Sequence, residues 1–180
     1  HLEAATSWAC SSGATVSELA FDDHEDGFAY GPDLFVTHDS GATWVQSQQG
    51  GNVLSVQALG SSVWMIETGC PPTTSPQVSC PLELLKSANG GRTWATVSVP
   101  SDFSMNGGEG GPGQTWLIRL SETSAYLASR PNSPAGSPTT APMWFTSDGG
   151  QTWSARHVAC GIAAGEDAIS TAPDGTLIVV

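Results

Sequence analysis

The chain has 180 residues, enough for one sizeable hydrophobic core, and its 5 Lys and Arg against 17 Asp and Glu give a net charge of −12. A field of that sign repels phosphate backbones and anionic headgroups, which excludes nucleic acid as a partner. Charged residues are only 12% of the chain, while 21 Gly and 12 Pro place a turn every few residues, so the composition predicts short strands and an all-β fold.

Along the chain, a leading strand is expected around Ala4 to Cys10. Strands then follow at Val16 to Phe21, Phe28 to Tyr30 and Leu34 to Thr37, the first two separated by an acidic turn. The phrase Thr37-His38-Asp39-Ser40-Gly41-Ala42-Thr43-Trp44 comes next. The order repeats with Val53 to Leu59, Val63 to Glu67 and Leu82 to Lys86 before Ser87-Ala88-Asn89-Gly90-Gly91-Arg92-Thr93-Trp94. It repeats again with Thr115 to Leu120, Ala125 to Ala128 and Met143 to Thr146 before Thr146-Ser147-Asp148-Gly149-Gly150-Gln151-Thr152-Trp153. A fourth strand is expected after each Trp. Ala168 to Ala172, Pro173-Asp174-Gly175 and Thr176 to Val180 then repeat the opening hairpin. No window carries sustained apolar spacing at three and four residues, and no apolar run approaches the roughly 20 residues needed to span a bilayer.

The phrase fits Ser/Thr-x-Asp/Asn-x-Gly-x-Thr-Trp, and its tryptophans are 50 and 59 residues apart, about one four-stranded propeller blade each. Its physics is that of a tight hairpin turn. Asp39, Asn89 and Asp148 accept hydrogen bonds from turn N–H groups. Gly41, Gly91 and Gly150 permit a positive φ. Thr43, Thr93 and Thr152, with Trp44, Trp94 and Trp153, open the next strand, and the indoles fill space beside the neighbouring blade.

This phrase resembles the Asp box, or BNR repeat, of sialidases, sortilin-type receptors, some xyloglucan hydrolases and photosystem II assembly factors. The resemblance implies a single β-propeller over residues 1–180, with four-stranded antiparallel blades at roughly 14–50, 51–100 and 113–160 and a partial blade at 166–180. Partial blades at both ends leave three expectations: a fragment of a longer or nicked polypeptide, pairing with a copy of the same chain, or a genuine small assembly unit. The fragment is favoured, with a second chain or fragment completing the propeller. In that family the Asp boxes lie away from the ligand face. Loops between strands two and three and between blades form the other face, and here Thr68 to Pro81, Pro100 to Gln114 and Ser129 to Pro142 carry the insertions.

Of four cysteines, Cys70 and Cys80 close a Pro/Ser/Thr-rich stretch and are expected to pair, whereas the partners of Cys10 and Cys160 stay open. Cysteines without a CxxC or paired-His spacing favour an oxidising compartment, hence a secreted, periplasmic or cell-surface protein whose signal has been removed. The cluster Asp22-Asp23-His24-Glu25-Asp26-Gly27 lacks the alternate-residue spacing of a calcium loop and reads as a solvated turn; if an ion binds, calcium at Asp22, Asp23 or Asp26 is the form expected. No other cofactor is implied.

Among the few cations, Lys86 just precedes the second box, Arg92 lies within it and Arg156 follows the third. Arg119, in an inner strand with Trp116, and Arg130, at the head of a long loop, are the candidates for holding a carboxylate, and Glu67 at a strand end completes a candidate site. A sialidase-type site needs three arginines and a Tyr–Glu nucleophile, and Tyr30 and Tyr126 are the only tyrosines; a xyloglucan-type site needs two carboxylates across a cleft. The chain therefore reads as an extracellular or envelope-exposed binding propeller for a protein or carbohydrate. Glycoside hydrolysis, with catalytic residues partly outside this chain, is the alternative.

Overall fold

The computed structural model describes residues 16–22, 25–31, 33–47, 52–68, 81–101, 103, 115–129, 143–156, 169–171 and 177–179. Every regular element among them is a strand, as the composition predicts. The chain divides into two compact units, His1–Thr74 with Leu82–Thr96, and Ser75–Pro81 with Val97–Val180.

The first unit holds two blades. β1 (Glu18–Phe21), β2 (Gly27–Tyr30), β3 (Leu34–Thr37) and β4 (Val45–Gln46) form one antiparallel sheet in that order. β5 (Asn52–Leu59), β6 (Ser62–Thr68), β7 (Leu82–Ser87) and β8 (Ala95–Val97) form the second, with Val97 in the other unit. In the second unit, β9 (Thr115–Arg119), β10 (Ala125–Ser129), β11 (Met143–Thr146) and β12 (Ser154–Arg156) make the third blade, and β13 (Ile169–Thr171) pairs with β14 (Leu177–Val179) as a two-stranded sheet. Each four-stranded sheet is a simple up-and-down meander, the topology of a propeller blade.

Blades 1 and 2 are held together by an apolar core between their faces. Phe28, Tyr30, Leu34 and Val36 from blade 1 meet Val53, Val56, Val63, Met65 and Leu85 from blade 2. Val53 and Val56 are three apart, so in a regular strand they would face opposite ways. A β-bulge between Val53 and Ser55 shifts the register and turns both into this core. Tyr30 spans the seam: its hydroxyl donates to Glu18 at 2.7 Å and receives the backbone N–H of Val56.

The repeated phrase forms the same hydrogen-bonded turn three times. In blade 1, Thr43 N–H donates to Asp39 Oδ1 at 2.8 Å, and the Thr43 hydroxyl donates to Oδ2 at 2.6 Å. The Thr37 hydroxyl donates to Asp39 Oδ1 and accepts the Gly41 N–H at 2.9 Å. Thr146 does the same with Asp148 and Gly150, and Ser87 with Asn89 and Gly91. Blade 2 differs in one bond, because an amide replaces the carboxylate: Asn89 Nδ2 donates to Thr93 Oγ1 at 2.9 Å. The first hydroxyl of the phrase is thus a central part of the turn, a role that the sequence reading left unassigned.

The turn needs two successive left-handed residues, which Gly90-Gly91 and Gly149-Gly150 supply; blade 1 uses Ser40 at φ 62° before Gly41. Gly91 is also a close approach, since a Cβ there would lie 2.8 Å from the Phe28 ring of blade 1. The indoles are only partly buried. Trp94 packs on the core shared by blades 1 and 2, Trp153 Nε1 donates to Ser98 O at 2.9 Å, and Trp44 meets Phe21 edge-on at 6.1 Å.

Candidate functional site

Each blade has two ends, and the structure separates them chemically. At the turn end, the fourth residue of every repeat donates its N–H to the turn between the first two strands: Ser40 to Glu25 O at 3.0 Å, Gly90 to Ser61 O at 2.9 Å, Gly149 to Thr123 O at 2.8 Å. This threefold bond places the two turns of a blade on one end, as the family resemblance implies. The connections there are short, at 22–26, 60–61 and 120–124, whereas the opposite loop end carries 69–81 and 130–142 in blades 2 and 3 against 31–33 in blade 1.

The acidic cluster lies at the turn end. Asp26 Oδ1 sits 2.7 Å from His38 Nδ1 of the first repeat, and its other oxygen reaches toward Gly90 of the second. Asp26 is therefore bonded to the first repeat turn and lies close to the second. Asp22 is a described turn residue and Asp23 lies outside the described residues. Among the described residues no three His, Cys, Asp or Glu side chains converge in a way that could hold a metal ion.

Arg119 is placed at the turn end as well. It pairs with Ala125 at the head of β10, is 7% exposed, and its Nη2 donates to Ser121 O at 3.0 Å, so the guanidinium braces its own β9–β10 turn. Trp116 sits at the other end of β9, opposite Ala128 and half-buried, and an odd spacing from Arg119 puts the two side chains on opposite sheet faces. The structure thus separates Trp116 from Arg119. Arg130 lies outside the described residues, as do Cys10, Cys70, Cys80 and Cys160.

Glu67 does occupy the loop end, near the end of β6. It is 6% exposed, Oε2 is buried without a hydrogen-bond partner, and Glu83 stands directly opposite on β7. Burial, and then the charge of Glu83, push its carboxyl above the usual range. Like charges directly opposite across a sheet are destabilising. Glu83 was not singled out from sequence; its register with Glu67 depends on a strand pairing that spacing alone does not reveal.

The remaining titratable groups serve the fold. Hydrogen bonds from the side chain and backbone of Thr152, then from Thr146, hold the Asp148 pKa at about 2, and those from Thr43 and then Thr37 lower that of Asp39. Tyr30 and Glu18 form a Tyr–Glu pair of the type that a sialidase nucleophile requires. Burial, and then Glu18, raise the phenol well above its usual range, the opposite of activation, and the ring is enclosed between blades. Tyr126 is tilted against Phe145 with centroids 4.9 Å apart, and Arg156 lies 5.2 Å from the same Phe145 ring. Arg92 Nη1 donates to Asn89 O within the second repeat.

Meander blades with repeat turns at one end and variable loops at the other define a β-propeller, a class in which the loop-bearing end is free to recognise ligands. Two solved structures of this fold resemble the chain. "YCF48 bound to D1 peptide" matches with a TM-score of 0.60 and 20% identity over 93% of this chain. YCF48 from Cyanidioschyzon merolae matches with a TM-score of 0.56 and 15% identity over 90% of it. The chain spans about half the length of these propellers, 46% and 48% respectively. No family model matches the sequence, and no curated protein does.

Proposed function

We propose that this chain is an Asp-box propeller scaffold that binds a protein segment at the loop end of its blades, in an extracellular or envelope-exposed setting. One observation carries the reading: a propeller of similar fold is known with a D1 peptide bound. The placement of groups agrees with it. The turn end is consumed by backbone and side-chain hydrogen bonds, whereas the loop end carries long, blade-specific insertions, the half-buried Trp116 and the Glu67–Glu83 pair. The Trp116 ring on blade 3 suits an apolar side chain, and the acidic pair on blade 2 suits a basic one. A carbohydrate ligand has no comparable support, and the enclosed Tyr30 counts against a sialidase-type nucleophile.

The test is to probe a peptide array that includes D1 segments, and a glycan array, with the labelled protein. Chromogenic glycosides are assayed alongside. Saturable peptide binding that Trp116→Ala weakens at least tenfold is the expected result. Glycan binding without peptide binding, or glycoside turnover, would overturn the proposal in favour of the hydrolase alternative.

A further inference from the structure

The face of blade 2 that packs on blade 1 changes character toward the loop end. Val63 and Met65 of β6 and Leu85 of β7 belong to the shared apolar core, and residues two apart in a strand face the same way, so Glu67 and Glu83 continue that face beyond the core. They stand directly opposite each other. Glu67 is 6% exposed and its Oε2 has no hydrogen-bond partner, whereas Glu83 is half-buried. Lys86, on the same strand as Glu83, is three residues away, so its side chain leaves from the opposite face of the sheet. Glu18 of blade 1, exposed and bonded to the Tyr30 hydroxyl of the same core, adds a third negative charge to the loop end of this unit. Aligned on their repeat turns, the other blades place Gly31 and Ser129 where blade 2 has Glu67, so the blade fold itself requires no carboxylate there.

We propose that Glu67 and Glu83 hold the charged end of a lysine or arginine side chain supplied by the bound protein segment. The inference rests on the reading of the loop end as a peptide-binding surface, and it makes a basic residue a requirement for binding there. A carboxylate buried without a partner is costly, and the like charge facing it adds to the cost; a single incoming cation relieves both. The same two effects, burial first and then Glu83, raise the Glu67 pKa. A divalent metal ion suits the pair less well. Calcium takes roughly six to eight oxygen ligands, and among the described residues no three His, Cys, Asp or Glu side chains converge to supply them. An ammonium or guanidinium brings its own donors and needs only acceptors, which the two carboxylates offer. The half-buried Glu83 gives a route from solvent, and a long flexible side chain can pass it to reach the enclosed Oε2 of Glu67.

The experiment starts from the peptides that the array selects. Each is measured by fluorescence anisotropy as selected, and with its Lys and Arg residues replaced one at a time by uncharged norleucine or citrulline, against wild type, Glu67→Gln, Glu83→Gln and Glu122→Gln. Glu122 is an exposed carboxylate in the turn-end connection of blade 3, so its variant reports what the loss of one charge does to a chain of net charge −12. Every binding peptide is expected to contain a Lys or Arg whose neutral replacement weakens binding to the wild type roughly tenfold or more. Glu67→Gln and Glu83→Gln should weaken the unmodified peptide by a similar factor, and the losses from peptide and protein should not add. Glu122→Gln is expected within about twofold of the wild type. Selected peptides without a basic residue, a neutral replacement whose loss persists undiminished in both Gln variants, or an equal loss in Glu122→Gln would each overturn the inference. Peptide binding at the loop end would still stand if Trp116→Ala weakened it. Absence of peptide binding to the wild type would overturn both readings. Circular dichroism checks that each variant is folded; should Glu67→Gln misfold, Glu83→Gln carries the same comparison from the half-buried side of the pair.

Discussion

Replacing Thr146 with Val tests whether the first hydroxyl of the repeat is as central as its bonds imply. Valine keeps the shape and removes two bonds at once. The donated bond, 2.8 Å to the ionised Asp148, is charge-assisted, a type that contributes roughly 1.5–3 kcal/mol. The accepted bond, 3.0 Å from the buried Gly150 N–H, leaves an orphan donor at a cost of about 1–3 kcal/mol. Because the Gly150 N–H can shift a little and water can reach Asp148, the sum is expected near the lower end, roughly 2–4 kcal/mol in denaturant unfolding. Thr146→Ser keeps both bonds, as Ser87 does in blade 2, and should lose less than about 1 kcal/mol. A Val variant within about 1 kcal/mol of wild type, or no worse than the Ser variant, would refute the assignment and leave the hydroxyl as a bystander.

Ser40→Gly should stabilise by about 0.5–1 kcal/mol, because it relieves a left-handed residue that the other two repeats already build from glycine; a loss of stability in the same unfolding assay would show that the Ser40 side chain contributes more than its strain. Gly91→Ala should destabilise by more than about 2 kcal/mol, combining a positive φ with a contact on Phe28, and a neutral result would mean that blades 1 and 2 can part locally. Asp148 has a depressed pKa, so its contribution is complete above the ordinary value of 3.8 and is lost as pH falls toward about 2; Asp148→Asn should flatten the unfolding midpoint over that window, and an unchanged acid slope would remove Asp148 as its source. Glu67 has the opposite sign: its raised pKa means that the charged form burdens the fold at neutral pH, so Glu67→Gln should stabilise there, with the gain vanishing below the ordinary 4.5, and a destabilised Gln variant at pH 7 would refute the reading of an unpaired buried carboxylate.

Much of the fold was legible because one phrase occurs three times and marks the same turn each time. Strand positions followed from it closely: β3, for instance, runs Leu34–Thr37 as expected, since the repeat pins its end. What the one-dimensional pattern could not carry was anything set by register or by strand ends. Arg119 and Trp116 share a strand, yet three residues of an extended chain put them at different ends and on different faces, and only the pairing with Ala125 shows that Arg119 turns toward Ser121. Glu83 was invisible as a partner of Glu67 because a long connection separates them in sequence. The bulge at Val53 and Ser55 was equally hidden, since Val, Leu, Ser and Val read as an ordinary strand.

The two ends of the blades explain why architecture is easier to read here than activity. At the turn end the same bond recurs from Ser40, Gly90 and Gly149, so the residues that make it repeat and are recognisable as a set. At the loop end the connections differ in length, 31–33 in the first blade, 69–81 in the second and 130–142 in the third, and among the described residues Glu67 faces Glu83 in blade 2. Repetition is what building a wheel from blades demands, and difference is what recognising a particular ligand demands. The groups that select a partner are therefore to be sought among the residues that do not repeat. Glu67 is the clearest of these, because a buried carboxylate without a partner destabilises its blade and serves no visible purpose in the sheet. If Glu67→Gln stabilises the protein and also weakens peptide capture, the charge is retained for binding at the expense of stability. If it stabilises the protein and leaves capture unchanged, recognition lies with Trp116 and the long loops instead.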